Sequence, residues 1–418
     1  MANKLGQVVY GVLIFWNATT HIPSILYSSA TVAMERYIPE KQSLDDKKVV
    51  FWGLFKLQIL LILVSWISLF LVNKFFINWE PWKNSLIINE IDFSYIVIFI
   101  ISRHLLNIIV STIGKCALGF KNITLVQSTV AAKSIIDAIG IIILYLVIED
   151  IQNFLILAVL LQLSLELLFS VFWIVWLKKT FVQFNIGYGS LEKVWKKEIK
   201  LFSGPSIITN IMSSAKEKIP IILLGESSYW GASATYSVVY KIFQFFSKLF
   251  STICTTLLPL LIDNKKGINL QSVMSKVSPI YHGIFGIILI LTSKYWLMIW
   301  NIDLKETDAY FILVYTLIFI CTGPLRSIHT WLDFHGMRKH MMNWSIIRGC
   351  VFLVLIVPMG ASVTLMALCE LLAIFAALLY ASLLSLQLWP NKFSDLRVSF
   401  AFFFLCILLF QFLNFDYV

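Results

Sequence analysis

Charge is what this sequence has little of. Asp, Glu, Lys and Arg make up 13% of its 418 residues, the apolar set AVILMFWYC makes up 59%, and the mean hydropathy is +0.84. No water-soluble core uses that much apolar surface, so the two or three soluble domains that this length would otherwise suggest are excluded. Cysteine is scarce too. Cys116, Cys254, Cys321, Cys350, Cys369 and Cys406 all fall within or at the edges of apolar segments, and none has metal-ligand spacing. A disulfide framework and a zinc site are therefore not expected, and no cofactor is. His282, His335 and His340 stand isolated near the ends of apolar runs and read as structural or interfacial. There is no nucleophile elbow, no His-Asp constellation of the acyltransferase kind and no metal-spaced cluster. Residues 1–11 carry one lysine and lack the ordered regions of a signal peptide.

What the chain has is long apolar runs. A spanning helix needs about 20 mostly apolar residues, and twelve candidates lie near 8–34, 49–76, 93–119, 122–148, 152–177, 203–224, 229–262, 277–300, 308–332, 341–358, 361–388 and 398–415. The expected fold is an all-α polytopic membrane protein. Basic residues sit mostly between these runs, so the excess of 33 Lys+Arg over 23 Asp+Glu reflects membrane topology and not nucleic-acid binding. Eighteen cations fall on one side of the alternating spans and five on the other, which predicts that the richer side is cytoplasmic. The longest loop, 178–200, lies on that side, and no outer loop has room for a catalytic domain. Trp79, Trp82, Trp296 and Trp300 fit an interfacial belt or ordinary buried tryptophans equally well.

A weak internal repeat divides the chain. Leu5-Gly6, then Tyr10-Gly11, then an apolar run to Pro39 is matched by Leu224-Gly225, Tyr229-Trp230-Gly231 and a run to Pro259. The second copy has a full span before its Leu-Gly turn and the first has only four residues, so the first helix is expected to be missing, through a late start or a true truncation. The predicted organisation is a five-helix N-terminal bundle over 1–177, a basic cytoplasmic linker over 178–200, a six-helix C-terminal bundle over 201–390 and an extra C-terminal transmembrane helix over 391–418.

Ten cations remain inside or at the edges of spans: Lys56, Arg103, Lys115, Lys133, Lys216, Lys218, Lys241, Lys248, Arg326 and Arg348. Each would cost about 2.5–3.5 kcal/mol at the centre of a lone helix. The acids available to pair with them are fewer, chiefly Asp137, Glu166, Glu217 and Glu370. Some of the cations are therefore expected to line a wet, positive cavity. In 229–262, Ser237, Lys241, Gln244, Lys248, Ser251 and Thr255 recur at intervals of 4, 3, 4, 3 and 4, one continuous polar face. An interhelical seam is the plainer reading of such a face, and the two lysines favour a cavity wall. Thr322, Arg326, His329 and Asp333 repeat the spacing, with Arg326 and Asp333 equally readable as a structural pair. Arg103 shares a face with Asn107, Ser111 and Gly114, has no acid in its own span, and ranks above Arg326 as a substrate contact. Lys133 and Asp137, at i and i+4, read as a local ion pair or as ligands. Pro205 and Pro220 flank Lys216-Glu217-Lys218 and suggest a kinked span or a snorkelling cluster. Asp137, Glu166 and Glu217 are candidates for coupling to a proton or sodium ion.

A cavity of that sign suits an anion, and Arg and Lys recognise phosphate. The segment from Leu5 to Arg36-Tyr37-Ile38-Pro39-Glu40 resembles the oligosaccharide flippase family. This family holds the O-antigen and capsule repeat-unit flippases of the multidrug/oligosaccharidyl-lipid/polysaccharide exporter superfamily. Leu201-Phe202-Ser203-Gly204-Pro205, Tyr236-Ser237-Val238-Val239-Tyr240-Lys241 and Leu257-Leu258-Pro259 are similar to its seventh and eighth helices. The resemblance implies two six-helix bundles that open a central cavity alternately to each side of a bacterial inner membrane. It also implies an undecaprenyl-diphosphate-linked oligosaccharide as cargo, membrane lipids as surroundings, and contact with a polysaccharide polymerase and chain-length proteins. One rival is an exporter of small organic cations, which would need an acidic cavity. The other is a membrane-embedded polymerase or acyltransferase, which lacks its constellation here.

Overall fold

The computed structural model describes residues 5–20, 34, 38, 43–76, 87–88, 91–120, 122–182, 200–227, 229–262, 267–299, 306–334, 338–359, 362–384 and 392–412. The helices are α1 (5–20), α2 (Leu44–Phe76), α3 (Ser94–Gly119), α4 (Ile123–Val147), α5 (Ile151–Val182), α6 (Lys200–Glu226), α7 (Trp230–Ile262), α8 (Gly267–Leu291), α9 (Ser293–Ile299), α10 (Glu306–Phe334), α11 (Arg338–Met359), α12 (Val363–Leu384) and α13 (Lys392–Phe412). A two-residue antiparallel ladder, with Ile87 opposite Asp92 and Ile88 opposite Ile91, precedes α3.

Each of the twelve predicted spans overlaps a helix. Among the described residues α3, α4, residues 151–180 of α5 and residues 363–380 of α12 are long and apolar enough to cross a bilayer, and α8 with α9 adds a bent fifth candidate. The lipid-facing character is plainest in α4. Ile135, Ile139, Ile142 and Leu146 are all exposed along it, an arrangement that water would penalise and hydrocarbon does not.

Polar side chains set several helix starts. The Ser43 hydroxyl accepts the Asp46 N–H at 3.1 Å and donates to the Asp46 carboxylate at 2.7 Å, capping α2. Asp150 accepts the Asn153 N–H at 2.7 Å and caps α5. The predicted span at 277–300 is divided by a 65° bend between α8 and α9. Here Thr292 donates to the Ile288 carbonyl at 2.7 Å, Ser293 to Ile290 at 2.8 Å and the Trp296 indole to Leu289 at 3.2 Å. The Ile288 carbonyl also keeps the Thr292 N–H at 2.9 Å, while Ser293 and Trp296 satisfy the Ile290 and Leu289 carbonyls that a continuing helix would have bonded, and the chain is free to turn. Trp79, Trp82 and Trp300 lie outside the described residues.

The chain separates into two compact units, residues 3–214 and 215–418, with the division inside α6. In the first, α3 packs on α5 and both pack on α4. Ile113, Ala117, Val126 and Trp173 form the core among these helices, and Phe51, Leu54 and Leu57 of α2 pack with Cys116 of α3 beside Met34 and Ile38. A polar rung crosses this packing where the Thr112 hydroxyl of α3 donates to the Gln58 carbonyl oxygen of α2 at 2.8 Å.

In the second unit α10 is the hub, packing on α7, α8, α11, α12 and α13. Two glycines let helices approach closely. A Cβ on Gly323 would lie 3.0 Å from the Pro279 Cα, and one on Gly283 would lie 2.2 Å from the Phe402 ring. The Gly323 carbonyl also accepts the Ser278 hydroxyl at 2.8 Å. Small residues at such crossings are how helices gain contact area where lipid supplies no hydrophobic drive. The helix predicted as a C-terminal extra, α13, packs on both α8 and α10. Residues 183–199 of the predicted linker lie outside the described residues.

Candidate functional site

Each unit carries its own cluster of charged side chains within its helices. In the first, α4 and α5 face each other so that residues one turn apart form two rungs. Lys133 of α4 pairs with Glu166 of α5, and Asp137 of α4 meets the Gln162 amide of α5 at 3.5 Å. From α3, Arg103 donates one guanidinium nitrogen to the Gln162 carbonyl oxygen and the other to Asn17 of α1 at 2.7 Å. Arg103 also feels the charges of Glu166 and Asp137. Lys133 therefore takes a carboxylate from the next helix, not the Asp137 one turn away on its own. Glu166 is 6% exposed; its Oε2, like Oδ1 of Asp137, is buried without a hydrogen-bond partner.

The second cluster is built on α6, α7, α10, α11 and α12. Arg348 of α11 donates to Glu370 Oε1 of α12 at 3.0 Å, and the Tyr315 hydroxyl of α10 lies 3.1 Å from Glu370 Oε2. Tyr315 is 2.9 Å from the Tyr236 hydroxyl of α7, which in turn reaches the Lys216 carbonyl of α6 at 3.3 Å. Rings pack around this chain of hydroxyls, with Tyr236 stacked on Tyr240 and Phe311 and edge-on to Tyr315. Lys216 is half-buried and lies in the field of Arg348, Glu370, Arg326 and Glu217. Lys218 pairs with Glu217 at 2.6 Å, and α6 runs from Lys200 to Glu226 as one helix.

The polar face of α7 divides along its length. Ser237 is buried, Gln244 is half-buried, and Lys241 and Lys248 are exposed. The side chains of Ser251 and Thr255 lie outside the described residues, as do those of His329 and Asp333, while Arg326 is half-buried. His282 is buried, its Nδ1 2.8 Å from the Ser278 carbonyl and its ring against Phe319. No three His, Cys, Asp or Glu side chains among the described residues gather as a metal site.

Four contributors fall outside the predicted site residues. Asn17 and Gln162 are neutral, and a search for intramembrane charge passes over them; Gln162 at i−4 from Glu166 was the available signal. Tyr236 and Tyr315 read as apolar filling, and only their hydroxyl partners reveal them.

The fold and its two charged clusters define a polytopic all-α membrane protein. No family model and no curated protein sequence matches the chain. Among solved structures the fold is similar to that of the lipid II flippase MurJ in an inward closed conformation, with a TM-score of 0.66 and 16% identity, over 98% of this chain and 90% of that one. A second structure, named only "protein A", is similar with a TM-score of 0.60 and 14% identity, over 91% of this chain and 88% of that one.

Proposed function

We propose that the protein moves a lipid-linked anionic oligosaccharide from the inner to the outer leaflet of a bacterial cytoplasmic membrane. In this reading it is a transporter and not an enzyme. The cargo is an undecaprenyl-diphosphate-linked repeat unit for O-antigen, capsule or a related polysaccharide, and movement is by alternating access.

One observation carries the reading. Lys241 and Lys248 are exposed on the same face of α7, two turns and about 10 Å apart along the axis. Exposed ammonium groups inside an apolar helix are costly against lipid and useful to a phosphate. The buried acids Glu166 and Glu370 are each bonded to a cation inside their own unit. α7 holds two lysines and no acid between Trp230 and Ile262, so its exposed charge is basic, which favours an anion over the organic cations of a multidrug-type exporter. The fold likeness to a protein named as a lipid II flippase supports the same cargo class. Basic loops face the cytoplasm in this orientation, and a membrane potential negative inside favours outward movement of an anionic head.

The test is rescue of surface polysaccharide in a strain lacking its own repeat-unit flippase. Restored polysaccharide is the expected result. Its absence despite good membrane expression, across a panel of repeat units, overturns the assignment.

A further inference from the structure

We propose that Lys216, held by Tyr236 across the break that Pro220 makes in the bonding of α6, binds an oxyanion in the second unit, with Arg348 Nε as the second donor. That the oxyanion belongs to a lipid-linked cargo rests on the flippase reading above; the binding itself does not.

Pro220 lies within α6 and carries no N–H, so the Lys216 carbonyl four residues earlier loses its helical donor. The Tyr236 hydroxyl of α7 donates to that carbonyl at 3.3 Å, and the Tyr315 hydroxyl stands 2.9 Å from it on α10. Backbone groups inside a bilayer must be satisfied within the protein, and here a side chain does what the missing N–H cannot. Tyr236 is fully buried and stacked on Tyr240 and Phe311. The backbone of Lys216 is thereby tied to a rigid aromatic block.

Both acids of the cluster are already engaged. Glu370 is bonded by Arg348 and Tyr315, and Glu217 by Lys218. Lys216 feels the charges of Arg348, Glu370, Arg326 and Glu217, yet its ammonium has no hydrogen-bond acceptor among the described residues. Arg348 Nε is buried and has no hydrogen-bond partner there either. Four cations, Lys216, Lys218, Arg326 and Arg348, thus stand against two carboxylates, an excess of two positive charges. Lys216 is ten residues from the end of α6 at Glu226, about 15 Å along the axis. A four-carbon stem does not cover that distance by snorkelling. Unfilled donors on an ammonium and a guanidinium, in surplus positive charge, suit the oxygens of a phosphate or diphosphate. Lys216 is only half-buried, which leaves a phosphate room to approach it.

Calorimetric titration of the purified full chain in phosphatidylcholine nanodiscs with farnesyl diphosphate tests this. Saturable binding is expected, weakened at least about tenfold by Lys216→Gln, the scale of one charge-assisted hydrogen bond. Lys216→Arg and the distant Lys294→Gln should keep it. Tyr236→Phe should weaken it too, but much less in a Pro220→Ala background, where the restored N–H takes over the carbonyl; an equal loss in both backgrounds overturns the role of Tyr236. Two further arms identify the source of the oxyanion. Equal, Lys216-dependent binding of inorganic pyrophosphate assigns the site to free phosphate, and loss of that binding in phosphatidylglycerol nanodiscs assigns it to a phospholipid headgroup. No saturable binding in any arm, or binding unchanged in Lys216→Gln, overturns the proposal. Monodisperse elution and wild-type circular dichroism establish that each variant is folded, and Lys216→Met serves if the glutamine variant is not. Polysaccharide rescue is read separately, so failure of the flippase reading and failure of this one are told apart.

Discussion

The Tyr315 hydroxyl stands 3.1 Å from Glu370 Oε2, and the other oxygen of that carboxylate is held by Arg348. A helix–helix–helix junction in the second unit thus rests on one carboxylate with both oxygens engaged. Buried ion pairs add little net stability when intact, but removing one partner is costly because the other charge is stranded. Glu370→Gln is expected to destabilise the protein by about 3–5 kcal/mol, read as a large fall in Tm by fluorescence-detected size exclusion. Glu370→Leu combined with Arg348→Leu should regain most of that loss. If the double variant is as unstable as the single, the pair is not the source of the effect.

Gly283 and Phe402 make a second test, this time of shape. A Cβ on Gly283 would lie 2.2 Å from the Phe402 ring, so Gly283→Leu forces α13 away from α8. Overpacking of this kind costs about 1–3 kcal/mol. Phe402→Ala opens the space, and in its background Gly283→Leu should cost less than in the parent. A double-mutant cycle on thermal stability measures the coupling, and simple additivity would contradict direct contact.

For cargo, the exposed pair on α7 gives the sharpest expectation. Lys241→Glu or Lys248→Glu should reduce surface-polysaccharide rescue at least about tenfold, equivalent to about 1.4 kcal/mol, with membrane insertion unchanged. Ser237→Ala lies on the same predicted face but is buried, so its effect should appear in stability and not in transport. Normal rescue by both charge reversals would remove the cationic face from the mechanism.

These contrasts mark where sequence reasoning ends. Hydropathy places helices because apolar length is a one-dimensional property, and the 3-and-4 spacing puts Lys241, Gln244 and Lys248 on one face for the same reason. It does not see the bend at Thr292, where the Ser293 hydroxyl and the Trp296 indole fold back onto carbonyls of the preceding turn. Partner choice is also invisible. Lys133 has Asp137 one turn away, yet the register of α4 against α5 delivers Glu166 instead. Ser237 belongs to the α7 stripe by spacing, but packing buries it and leaves the lysines out.

Arg103 shows how that difference changes a prediction. Its lack of an acid in its own helix makes it look like a waiting substrate contact, but its two terminal nitrogens are bonded to amide oxygens of Asn17 and Gln162. It joins α1, α3 and α5. A lysine keeps the charge and cannot reproduce the planar fork. Arg103→Lys is therefore expected to cost about 1.5–3 kcal/mol, the scale of a hydrogen bond to a charged group, and to lower Tm before any cargo is added. Asn17→Ala and Gln162→Ala should each recover less than additively when combined with it, because all three act through one guanidinium. If instead Arg103→Lys leaves Tm unchanged and lowers only polysaccharide rescue, the clamp is incidental. The arginine then acts on transport and not on the packing of its own unit.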